Sequence, residues 1–588
     1  MRKIIGVFLV LVLLITQMGV IGFASETLEV DSDGYYLIND AEDLYAFRDL
    51  VNSGEYDVNA KLTADIVLNE GVLDENGDLN EGTFTQWHPI GDRNEYMDPT
   101  GSEGGRANDN NTFQGIFDGQ NHTIYGLYYY VTGNDRDDTG IGLFGTLDGG
   151  TVKNVIIKDS YFETCYKSAF ITGYSVNGKI ENCDIYGTIK GKYQSAGVCG
   201  ASEQHSFTTI TECSFYGKID ATVTVGGICG SMWSGKIKYC NNYGNISATG
   251  VAAGIVASFG DASEPKSLVK NCANFGNIVS TAGKSYTSAG GVCGVVENTT
   301  VEDCLNIGTV TVVSDESYAN VGGICVRSYG YVEINNCLSY GVISSTAPDE
   351  RSITGAVIAG AMKNSTKDTY LTNNYYLAGV ADVGVAQYGT SYSFEVIDSV
   401  VGVAEEITET QAKNGTVLNL LNNEREGGPW EQNTRKDAYP YPVKRTEYIF
   451  PIDETTTIDH EYGIIYTYRQ GLTDVLEVIG YNEDTNGDYV TVMSAPSFMN
   501  DQKLQLFGTA SYAYVYVNGP RTMRYRLVVY GDINDDSYVN VLDAFDVERT
   551  ANGYRELVEY EFLAADTNDD GSITVEDYQS VVNIGLAS

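Results

Sequence analysis

The chain reads as mainly β: a β-solenoid of stacked coils with helical caps, then a small β-sandwich, then an α-helical tail built on two acidic loops. Three observations predict this. Gly 65 and Tyr 44 stand against only 10 Pro, a turn-rich, aromatic-rich balance that goes with short strands. Six cysteines recur about every thirty residues between Cys183 and Cys337. Two loops with the same Asp/Asn spacing close the sequence.

With 588 residues there is room for roughly four folding units at about 150 residues each. The 36 Lys and Arg face 79 Asp and Glu, a formal charge of −43. That excludes nucleic acid as the natural partner, because phosphate binding needs a basic footprint. A hydrophobic share of 43% excludes a disordered acidic polymer, since this much apolar surface can be buried to offset chain entropy.

The first residues read as an address. Arg2 and Lys3 precede an apolar run from Ile4 to about Phe23, and Gly22 and Ala24 stand at the spacing a signal peptidase reads. Residues 1–24 are therefore expected to direct export and be cleaved near Ala24. The run is also long enough for an uncleaved anchor. No second apolar segment of that length follows, so an extracellular or surface-associated protein is expected.

Residues 26–140 are expected to hold the N-terminal cap and first strands, and 141–380 the repeats. Cys183, Cys213, Cys240, Cys272, Cys304 and Cys337 lie 30, 27, 32, 32 and 33 residues apart. Three positions before them stand Ile180, Ile210, Ile237, Val269, Val301 and Ile334. Three after stand Tyr186, Tyr216, Tyr243, Phe275, Ile307 and Tyr340, each followed by glycine: Gly187, Gly217, Gly244, Gly276, Gly308 and Gly341. A second series, AGVCG to GGICV, supplies Cys199, Cys229, Cys293 and Cys325. A single coil cannot bury its apolar face, so coils must stack at strand spacing and place like residues above like. The cysteines suit a tight interior as buried free thiols, although disulfides between coils stay open. Metal binding by them is disfavoured, because there is no CxxC pair and His88, His122, His205 and His460 are scattered. The tyrosine column suits stacking more than ligand binding.

Gly142, Leu143, Phe144 and Gly145 spell GLFG, and with the GGICG runs and the segment 113–127 this region resembles the GLUG-repeat proteins of bacterial surfaces. The resemblance implies a right-handed parallel β-helix-like solenoid of a surface or adhesion-type protein, and it carries over no catalytic residue.

Coil ends need covers. Asn39 to Asn52 has a capping start and apolar Leu44, Phe47, Leu50 and Val51 at helical spacing, which predicts an N-terminal cap helix. Thr408 to Asn422 predicts another, followed by Trp430 and YPYPV, within a closing segment 381–445. The acidic loop from Asp92 to Asn111 reads as a surface excursion. In 446–530, GIIYTY, VLEVIGY, YVTVM, YAYVYV and YRLVVY alternate strongly and predict the β-sandwich, read as a structural spacer with carbohydrate binding left open.

The tail, 531–588, carries the most specific pattern. Asp532, Asn534, Asp536, Asn540 and Asp543 fill loop positions 1, 3, 5, 9 and 12, and Asp566, Asn568, Asp570, Thr574 and Asp577 repeat them. Calcium takes six to eight oxygens, which alternate residues of a tight loop can point inward. The backbone carbonyls of Tyr538 and Ser572 would supply position 7, with position 9 acting through water, so two Ca2+ are expected. Ser537 stands where the sharp turn at position 6 favours glycine, whereas the second loop has Gly571, so the first site is expected to bind more weakly. Helices are predicted from Val541 to Gly553 and from Val575 to Ile584.

This duplicated loop-plus-helix resembles the type I dockerin module. The resemblance implies a cohesin partner on a scaffoldin, as in cellulosome-like complexes. It carries cohesin contact over to Val541, Leu542, Glu548 and Arg549 in the first half, and to Val575, Glu576, Val582 and Asn583 in the second. Because the halves differ there, one face is expected to dominate. For the solenoid, binding to polysaccharide or cell surface is expected. The alternative is a glycoside hydrolase or polysaccharide lyase on a parallel β-helix, for which no catalytic set can be named.

Overall fold

Each repeat of the sequence becomes one coil in the computed structural model of the chain. It describes residues 28–91, 112–131, 140–261, 266–281, 286–314, 318–348, 352–362, 369–386, 400–422, 429–443, 449–453, 455–459, 464–481, 484–485, 488–495, 509, 511–517, 521–534, 536, 538–555, 557–568 and 572–587. Residues 1–24, read above as an export signal, the acidic loop 92–111, His460, Ser537, Asp570 and Gly571 lie outside the described residues. The chain divides into two compact units, residues 1–223 with 227–231, and residues 224–226 with 232–588. Among the described residues no helix is long and apolar enough to cross a membrane.

In the first unit the sequence predicts at least two short strands per repeat, and the coil has four. One coil runs through Thr172–Val176, Lys179–Glu181, Asp184–Lys190 and Gln194–Ala196. The first two strands join one sheet, the third a second sheet and the fourth a third. All stack in parallel and in register, so Val152, Ile180 and Ile210 lie above one another, as do Ile157, Ile185 and Phe215. Helix α1, Ala41–Asn52, starts where Asp40 accepts from the Asp43 N–H. Its buried face, Leu44, Phe47 and Val51, brings Phe47 against Phe113 and Phe117.

The second unit continues the same logic. Ile237, Val269, Val301, Ile334 and Leu371 form one column, and Val256, Cys293, Cys325 and Ile358 another.

All eleven cysteines are free and buried. Each of the six periodic thiols donates to the carbonyl two residues before it, at 3.1–3.3 Å. The residue between, Asn182, Glu212, Tyr239, Asn271, Asp303 or Asn336, has φ of 51–57°, the left-handed turn that Asn and Asp tolerate best. A small thiol thus fills the interior and also satisfies a carbonyl at the corner. Burial pushes the thiols of Cys272, Cys293, Cys304 and Cys337 well up, as befits apolar interior side chains.

The closing segment departs from expectation twice. The single helix predicted over 408–422 is two, α2 (Glu409–Lys413) and α3 (Thr416–Leu421), because Gly415 at φ 85° turns the chain between them. The segment also folds back along the flank of the coils. Ala412, Val417, Leu421 and Trp430 pack on the column Ala273, Leu305, Leu338 and Tyr375. Trp430 Nε1 donates to the buried Asp303 at 3.1 Å.

Beyond it, two sheets share one core. Strands Thr456–Asp459, Ile464–Thr467, Arg521–Val529, Tyr512–Val517, Asp488–Ala495 and Asp484–Thr485 form a mixed sheet in that order. Ile449–Pro451 pairs with Ile479–Tyr481. Ile449, Ile465, Ile479, Val515 and Leu527 meet inside. The strand expected over 475–481 begins instead as a 3-10 turn, Val475–Glu477, because Asp474 caps it.

Candidate metal centre and docking face

The tail folds as the spacing predicts, with one added element. Helix α4 spans Val541–Ala551, α5 Glu559–Ala565 and α6 Val575–Ala587, and α5 is the helix the sequence reading missed. Ile533, Val539, Ala544, Val547, Ala565 and Val581 form the core. Arg555 ties α4 to α5, pairing with Asp546 and, at 3.0 Å, with Glu561.

The two loops repeat each other's hydrogen bonds. Asp543 is fully buried; its Oδ1 accepts from Ile533 N (2.9 Å) and Asn534 N (3.1 Å), and its Oδ2 from Asn540 N (2.9 Å). Asp577, equally buried, accepts from Thr567 N at 3.0 Å and Thr574 N at 2.9 Å. Asp532 Oδ1 and Asn534 Oδ1 both accept from Asp536 N, at 3.0 and 2.9 Å. Asp536 Oδ1 accepts from Tyr538 N at 3.0 Å. Asn540 and Thr574 cap the helices that follow, accepting from Leu542 N (2.9 Å) and Glu576 N (3.1 Å). Asp566 is buried, while Asn568 and Ser572 are exposed. Asp570 is outside the described residues, so the second donor set is seen in part.

These residues fit a hard cation. Every donor type is oxygen, from carboxylate, amide, hydroxyl or backbone carbonyl. Burial and the neighbouring Asp536 push the Asp543 carboxyl up to about 6, the strain that a cation between the two would relieve. Among the described residues no three His, Cys, Asp or Glu side chains cluster closely enough to hold a metal alone. Coordination here would therefore also need Asn and carbonyl oxygens.

Seven of the eight residues carried over as cohesin contacts, Val541, Leu542, Glu548, Arg549, Val575, Glu576 and Asn583, are exposed. Val582 is half-buried against the core, because α6 turns its 578–581–582 edge inward. One further exposed apolar residue stands beside them, which the sequence reading did not single out. Phe545 is 53% exposed, one turn after the 78% exposed Val541 and beside the 60% exposed Leu542, with Arg549 stacked 5.7 Å over its ring. Its signal lay in the i, i+4 spacing from Val541 off the Ala544–Val547 core edge.

On the solenoid, the periodic aromatics stack on one another: Tyr186 on Tyr216 at 4.4 Å, Tyr243 on Phe275 at 4.7 Å, both pairs within 4° of parallel. Each stack covers one face of its rings, while Tyr186, Tyr216 and Tyr243 stay exposed. Elsewhere Lys266, Thr300 and Tyr331 all meet the Glu333 carboxylate, with Lys266 at 2.6 Å and Thr300 at 3.0 Å. Tyr370 lies 5.6 Å from Tyr331 with its ring tilted by 48°. Although burial works the other way, Lys266, Tyr331 and Thr300 hold the Glu333 carboxyl below the usual range.

Comparison with known proteins places a type I dockerin domain at residues 530–584. Halomucin from Haloquadratum walsbyi is 32% identical over 104 residues, which is 18% of this chain and 1% of that protein. The chain thus spans a very small part of that relative. A crystal structure of a candidate immunoglobulin A1 protease from Bacteroides ovatus aligns over 71% of this chain and 94% of its own at 16% identity. Its TM-score of 0.34 is too low to bear on fold or function.

Proposed function

We propose that the chain is an exported component of a cellulosome-type assembly. Its dockerin domain plugs, with calcium, into a cohesin on a scaffoldin, and its solenoid engages a polysaccharide or cell-surface glycan. The observation that carries the docking half is the pairing of two buried carboxylate loops with an exposed apolar face on α4. Val541, Leu542 and Phe545 are the kind of side chains that anchor an interface when a partner covers them. In the second half Val575 is followed by Glu576, so the α4 face is the better candidate to dominate.

For the solenoid, support comes from the Glu333 cluster. It sets a fixed carboxylate and an ammonium beside two tyrosine rings, a pattern suited to sugar hydroxyls and ring faces. The partners of Glu333 are Lys266, Thr300 and Tyr331, which hold the carboxylate in place as an acceptor for a ligand's hydroxyls, and binding is the leading reading. Glycoside hydrolysis would need a second carboxylate about 5–10 Å away working with it, which the product assays below test.

The test uses the full chain against a panel of cohesin modules, with calcium and with EDTA. Calcium-dependent capture is expected, weakened about tenfold or more by Phe545→Ala or Leu542→Ala. Capture by no cohesin at saturating calcium would overturn the docking half. A glycan array run beside reducing-sugar and unsaturated-product assays tests the solenoid. Retention without product is the expected result, and product formation would move the assignment to an enzyme.

A further inference from the structure

We infer that the β-domain before the tail is a working part of the first calcium loop, so that cation binding there and seating of the tail on the β-domain are one equilibrium. This rests on reading 532–543 as a calcium loop. Three contacts carry it. Thr509 N donates to Asp532 Oδ2 at 2.9 Å, on the carboxylate at loop position 1. Thr509 is itself fixed in the β-domain, its Oγ1 donating to Val529 O at 3.2 Å and accepting from Val529 N at 3.1 Å. Gln470 Oε1 accepts from Val539 N at 2.8 Å, holding the loop where it turns toward α4. The Tyr538 ring lies on Gly471, so close that a methyl group at 471 would sit 3.1 Å from Tyr538 Cε1.

The physical consequence follows from what a loop must do to take a cation. It must gather carboxylates that repel one another and hold each oxygen in direction, and an outer hydrogen bond to a ligand does part of that in advance. The Thr509 amide occupies one oxygen of Asp532 and so aims the other at the loop, where it also accepts from Asp536 N. Gln470 fixes the backbone beside the position 7 carbonyl. The first loop is the one with Ser537 at the sharp turn, where the second has Gly571. The side chains of Val539 and of its second-loop counterpart Ile573 both face the tail's core, so it is the Val539 backbone that reaches Gln470. These contacts with the β-domain fall on the loop whose sequence is the less suited to closing by itself.

Reciprocity is required: if the β-domain favours calcium, calcium must tighten the β-domain by the same factor. The experiment titrates the full chain with calcium alone, in an Asp566→Ala background that leaves the first loop as the site read. Gln470→Ala is expected to weaken that site about 3- to 10-fold, while Gln470→Glu, which keeps the accepting oxygen, holds or tightens it. An unchanged affinity in Gln470→Ala would overturn the inference and leave the calcium reading standing. A wild-type chain that takes up no calcium would overturn both. Should Gln470→Ala fail to fold, hydrogen exchange on the wild-type chain decides. Calcium is expected to slow exchange in strands 464–467 and 521–529, and exchange there that ignores calcium would sink the inference.

Discussion

A corner of the coil shows why single residues matter here. Asn182 sits at φ 51° just before Cys183, and its Nδ2 donates to Asn154 Oδ1 at 2.8 Å and Asn121 Oδ1 at 3.3 Å. The left-handed turn is what lets the Cys183 thiol reach back to the Glu181 carbonyl. A β-branched side chain there meets its own backbone, at about 1–2 kcal/mol. Asn182→Val is expected to lower stability by about that much plus the lost amide bonds. Asn182→Gly relieves the backbone and loses only the bonds, about 1 kcal/mol. Denaturant melts that rank the two variants equally would remove the backbone argument. The cysteine period was plain in the sequence, but this corner was not. Glu212 and Tyr239 break the Asn/Asp column, because tertiary stacking can hold an ill-suited residue at positive φ once neighbouring corners fix the turn.

At the scale of the element, the glycine that follows each member of the series from Tyr186 to Tyr340 records how closely coils approach. A Cβ built on Gly308 would stand 1.8 Å from Gly276 O, and one on Gly276 1.9 Å from Gly244 O. Backbone meets backbone there, so no side chain can yield. Gly308→Ala is expected to cost about 3 kcal/mol or more, since overpacking against a stacked coil must move the coil. Gly379, at φ 82° with open space around it, is the control: Gly379→Ala meets only conformational strain, about 1 kcal/mol. Equal losses in thermal melts would show that glycine serves conformation rather than approach. The same contrast explains what was legible. Columns in register reveal a solenoid because stacking repeats the chemistry of each position. The β-domain has no repeat, so its parallel pairing of Ile464–Thr467 with Arg521–Val529, and the helical turn at Val475–Glu477, could not be read from alternation. The path of the closing segment was hidden for a related reason. Trp430 announces burial, but nothing local says that its partner is Asp303, 127 residues away.

For the molecule as a whole, the two kinds of architecture should answer differently to removal of calcium. The coils are held by apolar columns, thiol-to-carbonyl bonds and backbone contacts, none of which involves a cation. The tail places Asp532, Asp543 and Asp577 in a buried setting within a chain of formal charge −43. With Asp543 pushed up to about 6, chiefly by burial, its carboxylate is held at neutral pH at a higher cost than a free one, a cost that a cation sharing the site offsets. Metal affinity and tail folding are therefore linked, and chelation removes the stabilisation the cation supplied. EDTA at neutral pH is expected to abolish the helical signal of α4, α5 and α6 while the strand signal of the coils persists. Thermal melts should separate into a calcium-dependent and a calcium-independent transition. By the inference above, part of the β-domain signal should move with the first transition rather than the second. A single melt whose midpoint ignores EDTA would contradict this division, because it would mean that the buried carboxylates fold without the ion their arrangement fits.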